Sequence, residues 1–225
     1  MRQQVSYKPG RPVANANRDA RDLLITAATK LFAEHGVAAT SFSTIAKRTR
    51  LTPAMVHYYF RDRDQLLDAI VEERLSPFIV LVWGPVQSGG EPAELLRGVV
   101  VRLLAGVERA PWIPSLWMRE ILIGGGLLRA KAMRRLPYDK VRIVAQAIRR
   151  GQSDQRLNPD LNPLMTVFSM LGLVMLHMAT VEVWAEIFHR RPLSRRVLGR
   201  HITGLLLDGL RHPPRAVRTK TRRKR

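Results

Sequence analysis

The chain contains no cysteine among its 225 residues. Disulfide frameworks, thiolate zinc sites and thiol catalysis are excluded, and a reducing cytoplasm is compatible with that composition. Acid is scarce: 18 Asp and Glu stand against 38 Lys and Arg, for a net charge of +20. A field of this sign favours polyanions, nucleic acid first, although an Arg-rich surface accounts for part of the excess. No apolar run follows Met1 and the first seventeen residues are polar, so no secretory signal is expected. No alternating period-2 segment and no hairpin turn occurs, which points to an all-α fold. The most apolar stretch, Leu164 to Ala185, contains Ser169, His177 and Glu182 and reads as a bundle helix rather than a membrane span. None of the six histidines (His35, His57, His177, His189, His201, His212) is spaced i, i+4 from another, and no Gly-rich loop follows a strand. Glu182, Glu186 and His189 share a helical face that reads as solvated. No catalytic residue, metal site or cofactor is expected, and the chain does not read as an enzyme.

What is present concentrates between Ser41 and Leu67, SFSTIAKRTRLTPAMVHYYFRDRDQLL. This stretch reads as two short helices joined by a tight turn, then the start of a third. Phe42, Ile45, Ala46 and Leu51 fill the inside of the pair, and Val56, Tyr59 and Phe60 complete it. Ser41 and Thr52 are candidate N-caps, and Pro53 takes the first helical position, where its missing N–H costs little. Thr52, Pro53, Ala54, Met55, His57 and Tyr58 are left facing outward. Lys47, Arg48 and Arg50 precede that face, and Arg61 and Arg63 follow it. Slim, mostly uncharged side chains between positive clamps suit a helix-turn-helix in a major groove, where phosphate contacts position and the second helix specifies.

The run from Gly36 through Ile45-Ala46, Leu51-Thr52 and Tyr58-Tyr59-Phe60 to Arg63, Asp64, Leu66 and Leu67 resembles the amino-terminal domain of the TetR family of bacterial transcriptional regulators. Two positions depart from that family's pattern. Thr49-Arg50 stands where Ala-Gly is common in the turn, and Ala54 where the recognition helix often has glycine. Arg50 must therefore accept a conformation that glycine adopts cheaply. Thr52, Ala54 and Met55 are expected to face base edges and His57, Tyr58 and Arg63 to meet phosphates, with Ser41 and Pro53 in the same DNA-binding face; the resemblance adds Ser43, which reaches the groove. The last third carries it too: GQSDQRLNPDLNP (151–163) and LLLDGLR (205–211) are similar to the family's connector and final helix. Two such helices, at about 161–180 and 194–211, are implied to pair with their copies in a homodimer. Leu164, Phe168, Leu171, Val174 and Met175 on one, and Val197, Leu198, Ile202, Leu205 and Leu206 on the other, supply the apolar stripes. Gly172, Gly199 and Gly204 allow close approach.

Four regions are expected. Residues 1–17 form a flexible basic arm, in which Lys8-Pro9-Gly10-Arg11-Pro12 resembles an AT-hook core, with Lys8 and Arg11 as minor-groove contacts. Residues 18–76 form the helix-turn-helix domain, with a first helix from about Asn17 or Arg18 to His35 and a fourth ending at Ser76-Pro77. Residues 77–212 form a larger helical ligand-binding and dimerisation domain, with helices near 91–109, 113–123, 126–135, 138–150, 161–189 and 194–211. Residues 213–225 are a basic tail, and 215–225 alone carry seven cations and no acid. Trp112, Trp117, Met118, Glu120, Met133, Tyr138, Phe168, Met175 and His177 are soft, large or polar side chains suited to line a pocket for a largely apolar effector, or simply to build core. Glu120 meets either a cationic ligand or a nearby arginine. The expected function is a ligand-responsive, sequence-specific regulator, a repressor acting as a homodimer on double-stranded DNA with a pseudo-palindromic operator, and no membrane partner. An architectural DNA-coating protein is the alternative.

Overall fold

A computed structural model describes residues 13–123, 126–189, 191 and 194–211. Lys8 and Arg11, His212 and the basic tail lie outside the described residues. Twelve α-helices and two π-helical stretches occur among the described residues, with one isolated bridge pair, Leu157 and Arg211, and no strand. The chain divides into two compact units.

The first unit runs to Phe78 and takes in Ala110–Leu136. It holds α1 (Val13–His35), α2 (Phe42–Thr49), α3 (Pro53–Tyr59), α4 (Arg63–Ile70), a π-helical turn at Val71–Leu75, α7 (Ile113–Leu116), a second π-helical stretch at Trp117–Ile123, and α8 (Leu127–Met133). Its core gathers Leu24, Ala28, Leu31 and Phe32 of α1 with Ile45, Val56, Phe60, Leu66 and Ile70. Leu116, Ile121, Leu128 and Ala132 belong to the same cluster. That shared burial is why the boundary differs from the expected break after residue 76: the helices at 113–133 have their apolar face in this core.

Two further differences concern helix ends. α1 begins at Val13, within the segment expected to be an arm. At the other end, Ser76-Pro77 does not stop the helical run, because α5 (Ser76–Trp83) continues directly from the π-helical turn. Proline cannot donate a backbone bond, and Arg74 Nη1 bonds the Glu73 carbonyl at 3.1 Å instead.

The second unit comprises Ile79–Arg109 and the chain from Pro137 onward. It contains α6 (Pro92–Arg109), α9 (Tyr138–Ser153), α10 (Pro163–Ala179), α11 (Val181–Ile187) and α12 (Arg195–Leu210). Leu96, Val99, Leu103, Val144, Ile148, Val167, Met170, Val174, Leu198 and Ile202 are buried in it. The 151–163 connector is built tightly. Gln152 Nε2 spans the carbonyls of Asn158 and Leu161 at 2.8 and 2.7 Å, and Asn158 N–H bonds the Leu210 carbonyl at 3.0 Å. A Cβ at Gly151 would stand 2.6 Å from Leu157 Cδ1, so glycine permits this packing. The long apolar run breaks at Thr180, where α10 and α11 are bent by 63°. Among the described residues no single helix is long and apolar enough to cross a membrane.

Candidate nucleic-acid interface

The geometry of α2 and α3 follows from their ends. Ser41 Oγ accepts the Thr44 N–H at 3.1 Å, capping α2, and Thr52 Oγ1 accepts the Met55 N–H at 3.3 Å, capping α3 with Pro53 in its first turn. Both satisfy donors that a helix start leaves orphaned. The turn between them is a Schellman motif. Leu51 N–H bonds the Ala46 carbonyl at 3.0 Å, and Arg50 N–H bonds Lys47 at 3.3 Å. Arg50 takes the left-handed conformation, φ 57°, that the missing glycine implied. The turn keeps its shape despite the substitution.

Ile45, Ala46, Val56 and Phe60 are buried, with Phe42, Leu51 and Tyr59 half-buried against them. That leaves Thr52, Pro53, Ala54, His57 and Tyr58 exposed on α3 and Ser41 and Ser43 exposed at the start of α2. Tyr58 is 73% exposed. Met55 is half-buried, so only part of it is available to a base edge. The His57 ring lies 4.9 Å from that of Phe42, and Tyr58 meets Tyr59 edge-on at 5.1 Å. Tyr59 also donates its hydroxyl to Asn17 Oδ1, joining the end of α3 to α1. Sequence reasoning missed Asn17, since no local pattern marks a partner 42 residues away.

The cations sort themselves by partner. Lys47, Arg50 and Arg61 are exposed and make no ion pair among the described residues. Arg48 is engaged by Glu34 at 2.9 Å. Arg63, an expected phosphate contact, has partners within the chain. It is half-buried, and its guanidinium donates to the carbonyls of Val37 and Thr40, both at 3.0 Å. The planar guanidinium presents several N–H donors in a fixed fork, and two of them reach separate carbonyls, so Arg63 braces the loop between α1 and α2. The α4 start is capped by Asp62 Oδ1, which accepts Gln65 N–H at 2.9 Å, while Gln65 Oε1 accepts Arg61 N–H at 3.1 Å.

The nine effector-pocket candidates are not gathered in one unit. Trp112, Trp117, Met118, Glu120 and Met133 lie in the first unit, where Trp112, Trp117 and Met133 pack against its core. Glu120 Oε1 accepts the Val37 N–H at 3.0 Å, and among the described residues it forms no ion pair with an arginine. Tyr138, Phe168, Met175 and His177 lie in the second unit. Tyr138 and Phe168 are exposed there, Met175 is buried, and His177 Nδ1 is 2.6 Å from the Leu173 carbonyl. Composition could not reveal this division, because an apolar side chain reads the same in core and in pocket.

The family profile described as "Bacterial regulatory proteins, tetR family" matches residues 24–70. The HTH-type transcriptional regulator UidR of Escherichia coli (strain K12) is 25% identical over 199 residues, which cover 83% of this chain and 92% of UidR. Among solved structures, the ketosteroid transcriptional regulator KstR2 of Mycobacterium tuberculosis matches with a TM-score of 0.67 and 17% identity, over 85% of this chain and 94% of that one. AibR, in complex with isovaleryl coenzyme A and operator DNA, matches with a TM-score of 0.64 and 21% identity, over 83% and 97%. The solved structures share the fold of this chain.

Proposed function

The chain belongs to the tetR family of bacterial regulatory proteins by its amino-terminal domain, and from that premise we propose that it represses transcription as a homodimer on a pseudo-palindromic operator, released by a small-molecule effector. The observation that carries this reading is the exposed face of α3, Thr52, Pro53, Ala54, His57 and Tyr58, set between the exposed cations Lys47, Arg50 and Arg61. Thr52, Ala54 and the exposed part of Met55 read base edges. His57, Tyr58, Ser41, Ser43 and the three cations hold phosphates. An operator with two-fold symmetry mirrors a two-fold dimer, with half-sites about 34–36 Å apart.

The dimer face is the outward stripe of α10 and α12. Leu164, Met165, Phe168 and Leu176 are exposed on one, and Val197 and Leu205 on the other. Gly172 and Gly204 have open space where a Cβ would point, as a second copy's approach requires. Five residues of the expected stripes serve the chain's own core instead: Val174, Met175, Leu198, Ile202 and Leu206 are buried. Gly199 makes room for Leu104 of α6.

AibR is similar in fold and is described with isovaleryl coenzyme A, so short acyl thioesters of coenzyme A are the effector class to examine first. An effector shifts the protein only by binding its two states unequally. Selection from a random duplex library, followed by footprinting, tests the regulator reading. Discrete, symmetric protection is expected. Uniform coating without a preferred sequence would establish the architectural alternative.

A further inference from the structure

Val37 follows the glycine that closes α1, and charged side chains hold both of its backbone polar groups. Its N–H donates to Glu120 Oε1 at 3.0 Å, and its carbonyl accepts from Arg63 Nη1 at 3.0 Å. The same guanidinium bonds Thr40 O at 3.0 Å, and the Thr40 hydroxyl closes on Gly36 O at 2.8 Å. A polar relay therefore runs from Glu120 through Val37 and Arg63 to Thr40, and ends beside Ser41, the cap of α2. Gly36 is shaped to it. Its φ is +89°, and a Cβ there would stand 3.0 Å from Glu120 Oε1. All of these residues belong to the first unit.

Glu120 sits in the middle of the π-helical stretch Trp117–Ile123. π-helical turns are rare and concentrate at functional sites. Moving such a bulge along the helix by one residue turns the side chain it passes by about 100° about the helix axis, enough to take Glu120 off Val37. We infer that Glu120 is a positioning residue: it clamps the turn between α1 and α2, so that the register of 117–123 sets where α2 and α4 begin. The inference rests on the reading of α2 and α3 as the DNA-binding element and adds the route by which that element is regulated.

The test uses the full chain and three variants. In Glu120→Ala the Val37 amide should exchange about tenfold faster, the equivalent of one hydrogen bond to a charged acceptor, while Leu31 and Phe32 amides keep their protection. Glu120→Gln retains an oxygen acceptor and should keep most of Val37's protection. Arg63→Lys, which loses the fork but keeps the charge, should loosen Thr40 and carries the test if Glu120→Ala does not fold. Binding is then measured to the duplex recovered by selection and to a scrambled duplex of equal length. Glu120→Ala should weaken the first by about fivefold or more, the lower end of ordinary coupling between sites, and leave the second unchanged, with Glu120→Gln restoring the preference. Unchanged Val37 exchange in Glu120→Ala overturns the clamp. Faster exchange with undiminished preference for the selected duplex overturns the positioning role. A parent chain that selects no sequence overturns the regulator reading alone, and the exchange measurement still decides the clamp.

Discussion

Arg50 is the residue at which stability and binding pull apart. A non-glycine side chain in the left-handed region costs roughly 1–2 kcal/mol, and glycine recovers that at an entropic cost of about 0.5–1 kcal/mol. With φ at 57° in an exposed turn, Arg50→Gly should stabilise the chain by about 0.5–1 kcal/mol, read as a higher urea midpoint with an unchanged slope. The same change removes an exposed cation next to α3. It should lower DNA affinity at every sequence and flatten the slope of log K against log salt by about 0.9 for each phosphate that is no longer neutralised. A variant that is both less stable and unaltered in salt dependence contradicts this account. Ala54 tests the other role. It is exposed and bonds nothing through its side chain, so Ala54→Gln should leave the urea midpoint alone and change the half-site recovered by selection. Recovery of the original half-site would remove Ala54 from the reading face. The exposed face itself was legible in the sequence, since the caps at Ser41 and Thr52 and the apolar positions fix which way α3 turns. The loop carbonyls that Arg63 serves were not, because they lie 26 and 23 positions away in the chain.

At the level of elements, helical period locates each helix but does not say which side of it faces its own chain. α10 shows the point. Met170 is fully buried and Phe168, two residues earlier, is 57% exposed. Met170→Ala should cost about 2–5 kcal/mol of folding stability, a cavity in a packed core. Phe168→Glu combined with Leu205→Glu should leave folding intact and yield monomers by sedimentation velocity. A dimer that survives the double substitution places the interface elsewhere. The apolar residues of α10 nearly encircle it, so the pattern alone could not separate Val174 and Met175, which serve the chain's own core, from Leu164 and Phe168, which do not. The continuation of helix through Ser76-Pro77 was hidden for a different reason. The side chain that serves the Glu73 carbonyl, Arg74, becomes visible only once the backbone is placed.

Across the whole molecule, charge is the property that the reading of function leans on hardest. Deleting residues 1–12 removes Lys8 and Arg11 and preserves α1 from Val13, including the Asn17 contact to Tyr59. The truncated chain should bind its operator more weakly, with a shallower salt slope and the largest weakening at A·T-rich flanks, where the narrow minor groove attracts arginine. Its dimerisation and urea midpoint should match the parent. Equal operator binding by truncated and full-length protein at physiological salt would leave the Gly-Arg-Pro run without a role.

The sequence by itself determined the helical class, the two-helix element at Ser41–Phe60 with its caps and its left-handed turn, and most helix positions. These are local matters, settled by propensity, capping chemistry and periodicity within a few residues. Tertiary structure alone decided the allegiance of Ala110–Leu136, whose Leu116, Ile121, Leu128 and Ala132 enter the core of the first unit. It also decided the partners of Arg63, Glu120 and Asn17. Each of those contacts joins residues 23 to 83 positions apart, and a contact across that separation is fixed by how whole helices pack, which no local pattern encodes.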